Sequence, residues 1–552
     1  AVGLLYSVIS TSLAQSTTSW KGTGSAQSGT DWSEPTNWTN GAPDATKHVI
    51  IGDANFTGTK LPIIDLTAQA TCLSLTIGGV KAVKLHVTND KGLSVTGNLE
   101  ILTNGELENE GSHIIVGGNW TNSGVYNELL YIKGNINSRS TQYPKVEFTG
   151  SSSRIGGSAV SSFNSLIVTG NLVLDNTINM MSVTKGSNTI QPSLQVKGTL
   201  DPNTHLVNLP TVSGTTFIVE AGATLLVKAN TLVNGASFFA NYSIAPTTIY
   251  TNSIIDYAGG DQVVENGLPF AYGILRISGN GTKTLEGNTS VFGAQGTGLA
   301  INSGTLDIAA FTIDRSSSPG GSFTMASGTT LRIGGTNTLP ANYTTYTLHP
   351  NSTVEYYGTN QAVANVTYGH LLLSNSGAKS MPAIAMTVAG NLTSTGAVSY
   401  AAGAPITVNG NVTIGTGTTF NGGSATHTIA GNWAANGAYV GSNSTVTMTG
   451  TNRTISSTAG STEFNNLTLT GSGTSISVPA LTIYGNLNAT GGMSQVADGT
   501  ITMTNTAGRS ISGSGMNFQN LTIDGTVTTT SSFTINGNLL VNAAKSFAAS
   551  AG

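Results

Sequence analysis

Residues 406–414, Ile406-Thr407-Val408-Asn409-Gly410-Asn411-Val412-Thr413-Ile414, read as two short alternating runs broken by Asn-Gly-Asn. In each run the apolar side chains share one face of an extended strand. The break recurs as Gly390-Asn391-Leu392 before it and Gly431-Asn432-Trp433 after it, so successive Asn positions differ by 20 and 21. An earlier cluster, Gly97-Asn98-Leu99, Gly118-Asn119-Trp120 and Gly134-Asn135-Ile136, is spaced by 21 and 16, and Gly485-Asn486-Leu487 and Gly537-Asn538-Leu539 follow later. A unit near 20 residues is too short for a domain and suits one coil of a parallel β-solenoid. On this reading Gly supplies unusual turn dihedrals and Asn tolerates the left-handed region. Stacked Asn residues are then expected to hydrogen-bond as a ladder.

A longer repeat overlies the short one: a β-run, a polar residue before Ile or Val, then aromatic-x-x-Leu. Its aromatics are Phe163, Tyr272, Tyr368, Phe464 and Phe518, each followed three residues later by Leu. These rings and leucines are expected inside the coils. The residues Phe148, Tyr257, Tyr356 and Met448, spaced by 109, 99 and 92, would fit tandem immunoglobulin-like sandwiches. Met448 to Met503 is only 55 residues. A sandwich cannot halve its length, whereas a solenoid can lose whole coils.

Composition narrows the function classes. Of 552 residues 70 are Gly, about a quarter are Ser or Thr, and only 8% are charged, against roughly 25% in an ordinary globular chain. Lys plus Arg total 21 and Asp plus Glu 25, for a net charge of −4. A basic field for nucleic acid is therefore missing. Ordinary disorder is disfavoured too, because the chain is 38% hydrophobic. The single cysteine, Cys72, excludes an intrachain disulfide and reads as a small strand hydrophobe.

Residues 1–14 are apolar and uncharged, and Ser12-Leu13-Ala14 has the small-x-small form of a signal-peptidase site. Two readings stand for 1–15, a signal-peptide remnant or an apolar docking segment of the mature protein. At that length the run is too short to cross a bilayer, and no other stretch reaches 18 apolar residues. Residues 16–60 are expected to form a Trp-rich N-terminal cap, and 61–552 the β-helix repeats, truncated at the C-terminal side.

The segments Trp20-Lys21-Gly22, Asp31-Trp32, Asn37-Trp38 and Gly41-Ala42-Pro43 resemble the start of secreted surface proteins of Bacteroidetes and related bacteria. Residues 353–373 best match the repeat of those proteins, with Val354-Glu355-Tyr356, Gln361 and Tyr368-Gly369-His370-Leu371. The resemblance implies a right-handed parallel β-helix in exported, adhesin-like proteins, and it specifies fold and export more than ligand.

Catalytic constellations were weighed against this. Paired Asp residues and a Gly-His-Gly of polygalacturonase type are absent. Glu106, Glu108 and Glu110 share one strand face, which reads as a solvated stripe rather than a calcium site. Seven scattered histidines show no metal-ligand spacing. Trp20, Trp32 and Trp38 are candidates either for stacking on sugar rings or for plugging the first coil. The expectation is therefore a non-catalytic, exported, elongated surface protein: an adhesin, a stalk or an extracellular filament element. It has no cofactor, and its partners are surface glycans, other cells or a further copy joined end to end. The alternative is a polysaccharide-binding or polysaccharide-degrading β-helix.

Overall fold

The computed structural model describes residues 15–549 apart from 25–28, 89–90, 111–112, 124, 127–128, 133–135, 139–141, 158–159, 186, 230–236, 267–270, 293–296, 316–318, 460 and 497. The N-terminal segment 1–14 and Asn135 lie outside the described residues. Among these residues the structure is almost wholly β, the helical exceptions being a 3-10 turn at Pro35–Asn37 and one α-helical turn at Phe238–Asn241. The chain divides into two compact units, residues 1–259 with 267–273, and residues 260–266 with 274–552. Each is a parallel β-solenoid of stacked coils.

In the first unit one sheet begins with Ser16–Ser19, Lys47–Ile51, Ser74–Ile77 and Leu99–Ile101, each strand parallel to the next. The cap segment therefore supplies the first strands of this sheet rather than sitting apart from it. An eleven-stranded sheet contains Ala70–Cys72 and Thr248–Ile249, and a four-stranded one joins Ile63–Ile64, Val83–Val87, Gly105–Asn109 and Val125–Tyr126. The antiparallel pair Val183–Lys185 and Asn188–Ile190 departs from the pattern as a local hairpin. Cys72 is buried, and burial pushes its thiol up to about 12.

The second unit has a fourteen-stranded sheet, a twelve-stranded one and a five-stranded one. Register in the first of these shows that the short and long repeats are one motif. Leu371 of Tyr368-x-x-Leu pairs with Leu392, Leu392 with Val412, Val412 with Trp433, and Trp433 with Ile455. The Leu of aromatic-x-x-Leu, the apolar residue after Gly-Asn and the Ile after Arg453-Thr454 all fill the same inward position. In the first unit the backbone register runs from Leu99 through Trp120 and Ile136 to Ile155, and Leu99, Trp120 and Ile155 are buried.

The expected Asn ladder is present, in a specific form. The Asn411 N–H donates to Asn391 Oδ1 at 2.9 Å, Asn432 N–H to Asn411 Oδ1 at 2.8 Å, and Thr454 N–H to Asn432 Oδ1 at 2.9 Å. Equivalent bonds run from Asn119 to Asn98, from Asn486 to Asn466, from Ser510 to Asn486, and from Asn538 to Asn520. His370 starts the longest run, its Nδ1 accepting the Asn391 N–H at 2.9 Å. Asn466 and Asn520, inside aromatic-x-Asn-Leu, are thus ladder members too.

The reason for glycine differs from the expectation. Neither the described glycines nor the asparagines of the Gly-Asn pairs lie at positive φ. Space decides instead: a Cβ on Gly118 would meet Asn98 Oδ1 at 2.5 Å, and one on Gly431 would meet Asn411 Oδ1 at 2.6 Å. At these Gly-Asn steps the previous coil lies so close that a Cβ has no room, whereas Thr454 and Ser510 make the same bond after Arg453 and Arg509.

The aromatic positions are all interior. Phe163, Tyr272, Tyr368, Phe464 and Phe518 are fully buried, as are Leu166, Leu275, Leu371, Leu467 and Leu521. Two copies carry phenol pairs, Tyr257 with Tyr272 (3.0 Å between hydroxyls) and Tyr356 with Tyr368 (2.9 Å). Tyr368 donates onward to the Ala364 carbonyl, and Tyr356 accepts from the Ala364 N–H, which ties down the intervening loop. Burial raises the pKa of both phenols, that of Tyr368 well above its ordinary value, so they stay neutral.

Candidate functional site

The tryptophans of the cap face inward. Trp20, Trp32 and Trp38 are 0–2% exposed and meet edge to face, with centroids 4.9 and 5.1 Å apart. Their indole N–H groups donate to backbone carbonyls, Trp20 to Lys60 and Trp38 to Trp32. Stacking on a sugar needs a free ring face, so the glycan-stacking reading of these three residues is corrected.

The acidic stripe has partners close by. Lys84 lies 3.0 Å from Glu106 and 3.4 Å from Glu108, and His86 lies 3.0 Å from Glu110. No group of three or more metal-ligating side chains occurs among the described residues. One histidine is deeply buried. His427 is 1% exposed, its Nε2 2.8 Å from the Gly422 carbonyl and its Nδ1 accepting the Ile406 N–H. Burial lowers its pKa and keeps it neutral.

One cleft of about 390 Å³ in the first unit holds a serine–histidine contact, with His48 Nδ1 and Ser74 Oγ 2.7 Å apart. A nucleophile beside its base is the start of a hydrolytic site, but a third group must orient the imidazole. Glu100 lines the same cleft yet pairs in register with Thr76 rather than Ser74. Among the described residues no carboxylate bonds the His48 ring.

The five-stranded sheet of the second unit joins Gln361–Ala362, Ser376–Ser380, Ala397–Ala401, Thr419–Asn421 and Ala438–Val440. Its inward column is Gln361, Lys379, Tyr400, Phe420 and Tyr439. Lys379 is 1% exposed, and its ammonium donates to Gln361 Oε1 at 2.9 Å and to the Gly358 carbonyl. Burial brings its pKa down to about 8. Lys283, after Gly281-Thr282 as Lys379 is after Gly377-Ala378, is buried in the same manner beside the Asn280 carbonyl. The Gly-x-Lys spacing was the available sequence signal. Above Lys379, Tyr400 and Phe420 stack at 4.5 Å, and Phe420, Tyr439 and Phe464 continue the contact at 5.2 and 5.5 Å.

The outward face of this sheet carries Ala378, Ser380, Ser399, Ala401, Thr419 and Asn421, which border a shallow depression of about 420 Å³. The sheet stops at Ala438–Val440. The strand one coil on, Ser461–Phe464, pairs forward with Ala480–Ile483 and leaves its near side without a ladder to Ala438–Val440. A cleft of about 380 Å³ occupies the gap, lined by Asn436, Tyr439, Val440, Thr462, Glu463 and Thr482 among others. Thr462 is 7% exposed, and its hydroxyl has no hydrogen-bond partner among the described residues. Tyr484, 42% exposed, donates to Glu463 Oε2 at 3.2 Å on the rim. The sequence did hold a signal for it. Tyr484 precedes Gly485-Asn486 where other copies carry Thr96, Gly117, Ala389, Asn409, Ala430 and Asn536.

Comparison with protein-family models, with curated proteins and with solved structures finds no match to this chain. Function is therefore argued from the site alone. No helix among the described residues is long and apolar enough to cross a membrane.

Proposed function

We propose that this protein is an exported surface protein of adhesive or structural type, an adhesin, stalk or filament element, whose solenoid serves as a scaffold rather than as a catalyst. The observation that carries the reading is the use made of the repeated polar residues. Asn391, Asn411 and Asn432 bond the next coil's backbone, and Gln361 with Lys379 bonds the interior of neighbouring coils. Chemistry concentrated on coil-to-coil bonding suits a protein that presents surface and resists unravelling. Export rests on the small-x-small site after the apolar segment and on the resemblance to secreted repeat proteins.

The test is adhesion of the purified protein to glycan-coated, cellular and abiotic surfaces, with product analysis on the same glycans. Retention without cleavage is expected. Turnover of a glycan, above all calcium-dependent lyase activity, would overturn the reading in favour of a polysaccharide-degrading β-helix. Regular fibres seen by electron microscopy at high concentration would specify the filament form, in which a second copy is the partner.

A further inference from the structure

At one coil step of the second unit the wall is zipped on two faces and open on the third. Trp433 and Ala434 pair with Ile455 and Ser456, and Thr445–Met448 pairs with Asn466–Leu469. On the third face Ala438–Val440 ends the five-stranded sheet, and Ser461–Phe464 pairs only forward. Every other step of that face between Gln361 and Val541 carries a ladder. The Ala438 N–H donates to the Thr418 carbonyl, and the Val440 carbonyl accepts from Gly422. Alternate residues of a parallel strand bond to alternate sides, so the Tyr439 N–H and carbonyl face the break. Across it the Phe464 carbonyl accepts from the Tyr484 N–H, which leaves the Glu463 backbone groups facing back. None of these facing groups joins a ladder.

The break is closed from the inside, by rings. Tyr439 on one edge and Phe464 on the other are buried with centroids 5.5 Å apart, and Trp433 meets them at 4.8 and 5.4 Å. Tyr439 is held to its own coil, its hydroxyl 2.8 Å from Ser444 Oγ. Closure carries a cost. The inward Thr462 hydroxyl and the Trp433 indole N–H are buried without hydrogen-bond partners among the described residues, and an unmet buried polar group is destabilising. Opening admits water to both and breaks no ladder. The two corners differ in strength. At one, the Ser444 carbonyl accepts from Asn465 Nδ2 at 3.3 Å and from the Asn466 N–H at 3.1 Å. At the other, the Thr458 N–H reaches Asn436 Oδ1 at 3.0 Å in an exposed bond.

We propose that this step is a flexure built into the solenoid. The third face opens and recloses in the folded protein, parting Tyr439 from Phe464, while the two zipped faces serve as its pivot. Native-state opening begins where backbone hydrogen bonds are fewest, and on this face that place is the step from Tyr439 to Thr462. The inference concerns the wall itself and holds whichever surface the protein meets.

The experiment places a thiol behind the break. In the full chain carrying Cys72→Ala, Thr462→Cys puts one inward sulfur at the break. Val398→Cys, at a position 1% exposed on a laddered strand of the same face, is the control. Maleimide labelling of the native protein should be at least tenfold faster in Thr462→Cys than in Val398→Cys, at similar melting temperatures. Adding Phe464→Leu, which removes the ring contact, should speed the first severalfold and leave the second unchanged. Hydrogen exchange of residues 433–435 and 445–448 should stay slow throughout, because the pivot ladders remain shut. The wild type gives a second reading that needs no thiol. Trp20, Trp32, Trp38, Trp120 and Trp433 are all buried, so acrylamide should quench a fraction of the emission that disappears in Trp433→Phe. Equal labelling at the two positions, labelling that requires the pivot ladders to open as well, or absence of that quenchable fraction would overturn the flexure.

Discussion

Two columns climb the same coils of the second unit and follow opposite rules. The outer column, His370, Asn391, Asn411, Asn432 and Thr454, repeats one bond, a side-chain acceptor taking the next coil's N–H. The inner column, Gln361, Lys379, Tyr400, Phe420 and Tyr439, changes chemistry at nearly every step and then stops. A hydrogen bond to a backbone N–H needs the same atom at the same place each time. An interior needs only matched volume, so rings, an amide and an ammonium can succeed one another. Identity is demanded where geometry is directional, and variety is tolerated where packing is not.

The comparison can be broken most severely from the inside. Phe420→Ala removes the ring that touches Tyr400, His427, Trp433 and Tyr439 and should cost about 3–5 kcal/mol. Hydrogen exchange should show protection lost first in the flanking coils. Uniform loss along the chain would contradict nearest-neighbour coupling. Gly431→Ala attacks the outer column at its tightest point, driving a methyl into the Gly410 carbonyl and Asn411. The overpacking should cost about 1–3 kcal/mol, read from denaturant midpoints, and Gly417→Ala at positive φ should hurt through strain and leave the ladder amides protected.

Smaller effects sharpen the contrast. Asn411→Ala leaves the Asn432 N–H without its acceptor in a partly solvated turn, a loss of about 0.5–1.5 kcal/mol. Asn411→Asp, which keeps the acceptor, should recover most of it. The smallest signal is acid sensitivity at His427, whose folded pKa is lowered from 6.5 by burial. The unfolded chain takes up that proton first, so stability is full above the ordinary histidine pKa and falls as pH drops below it. In His427→Gln the melting temperature should lose its slope between about pH 5 and 7.

The coil period was legible because Gly-Asn and aromatic-x-x-Leu mark the same point of many turns. What those residues do was only half legible. Gly410 and Gly431 were expected to supply turn dihedrals, but the constraint is distance to the previous coil, which a single strand of sequence does not display. That Asn466 belongs with Asn486 emerges only from register. The break beside Ala438–Val440 left no mark at all, because it depends on where Ser461–Phe464 finds its partner. Trp20, Trp32 and Trp38 show the converse. Their clustering was plain in the sequence, and which way the rings face was decided by the carbonyls of Lys60 and Trp32.

The one-coil offset of the ladder bears on how such a chain can change over generations. Each Asn takes its instructions from the coil before it and passes the same instructions to the coil after it, 20 to 22 residues on. A duplicated stretch of that length arrives with its donor, its acceptor and its glycine already in place, whereas one inserted residue between Gly410 and Val412 displaces all three. The smallest heritable step that this architecture accepts in its wall is therefore a whole coil, and chain length in it should vary in those steps.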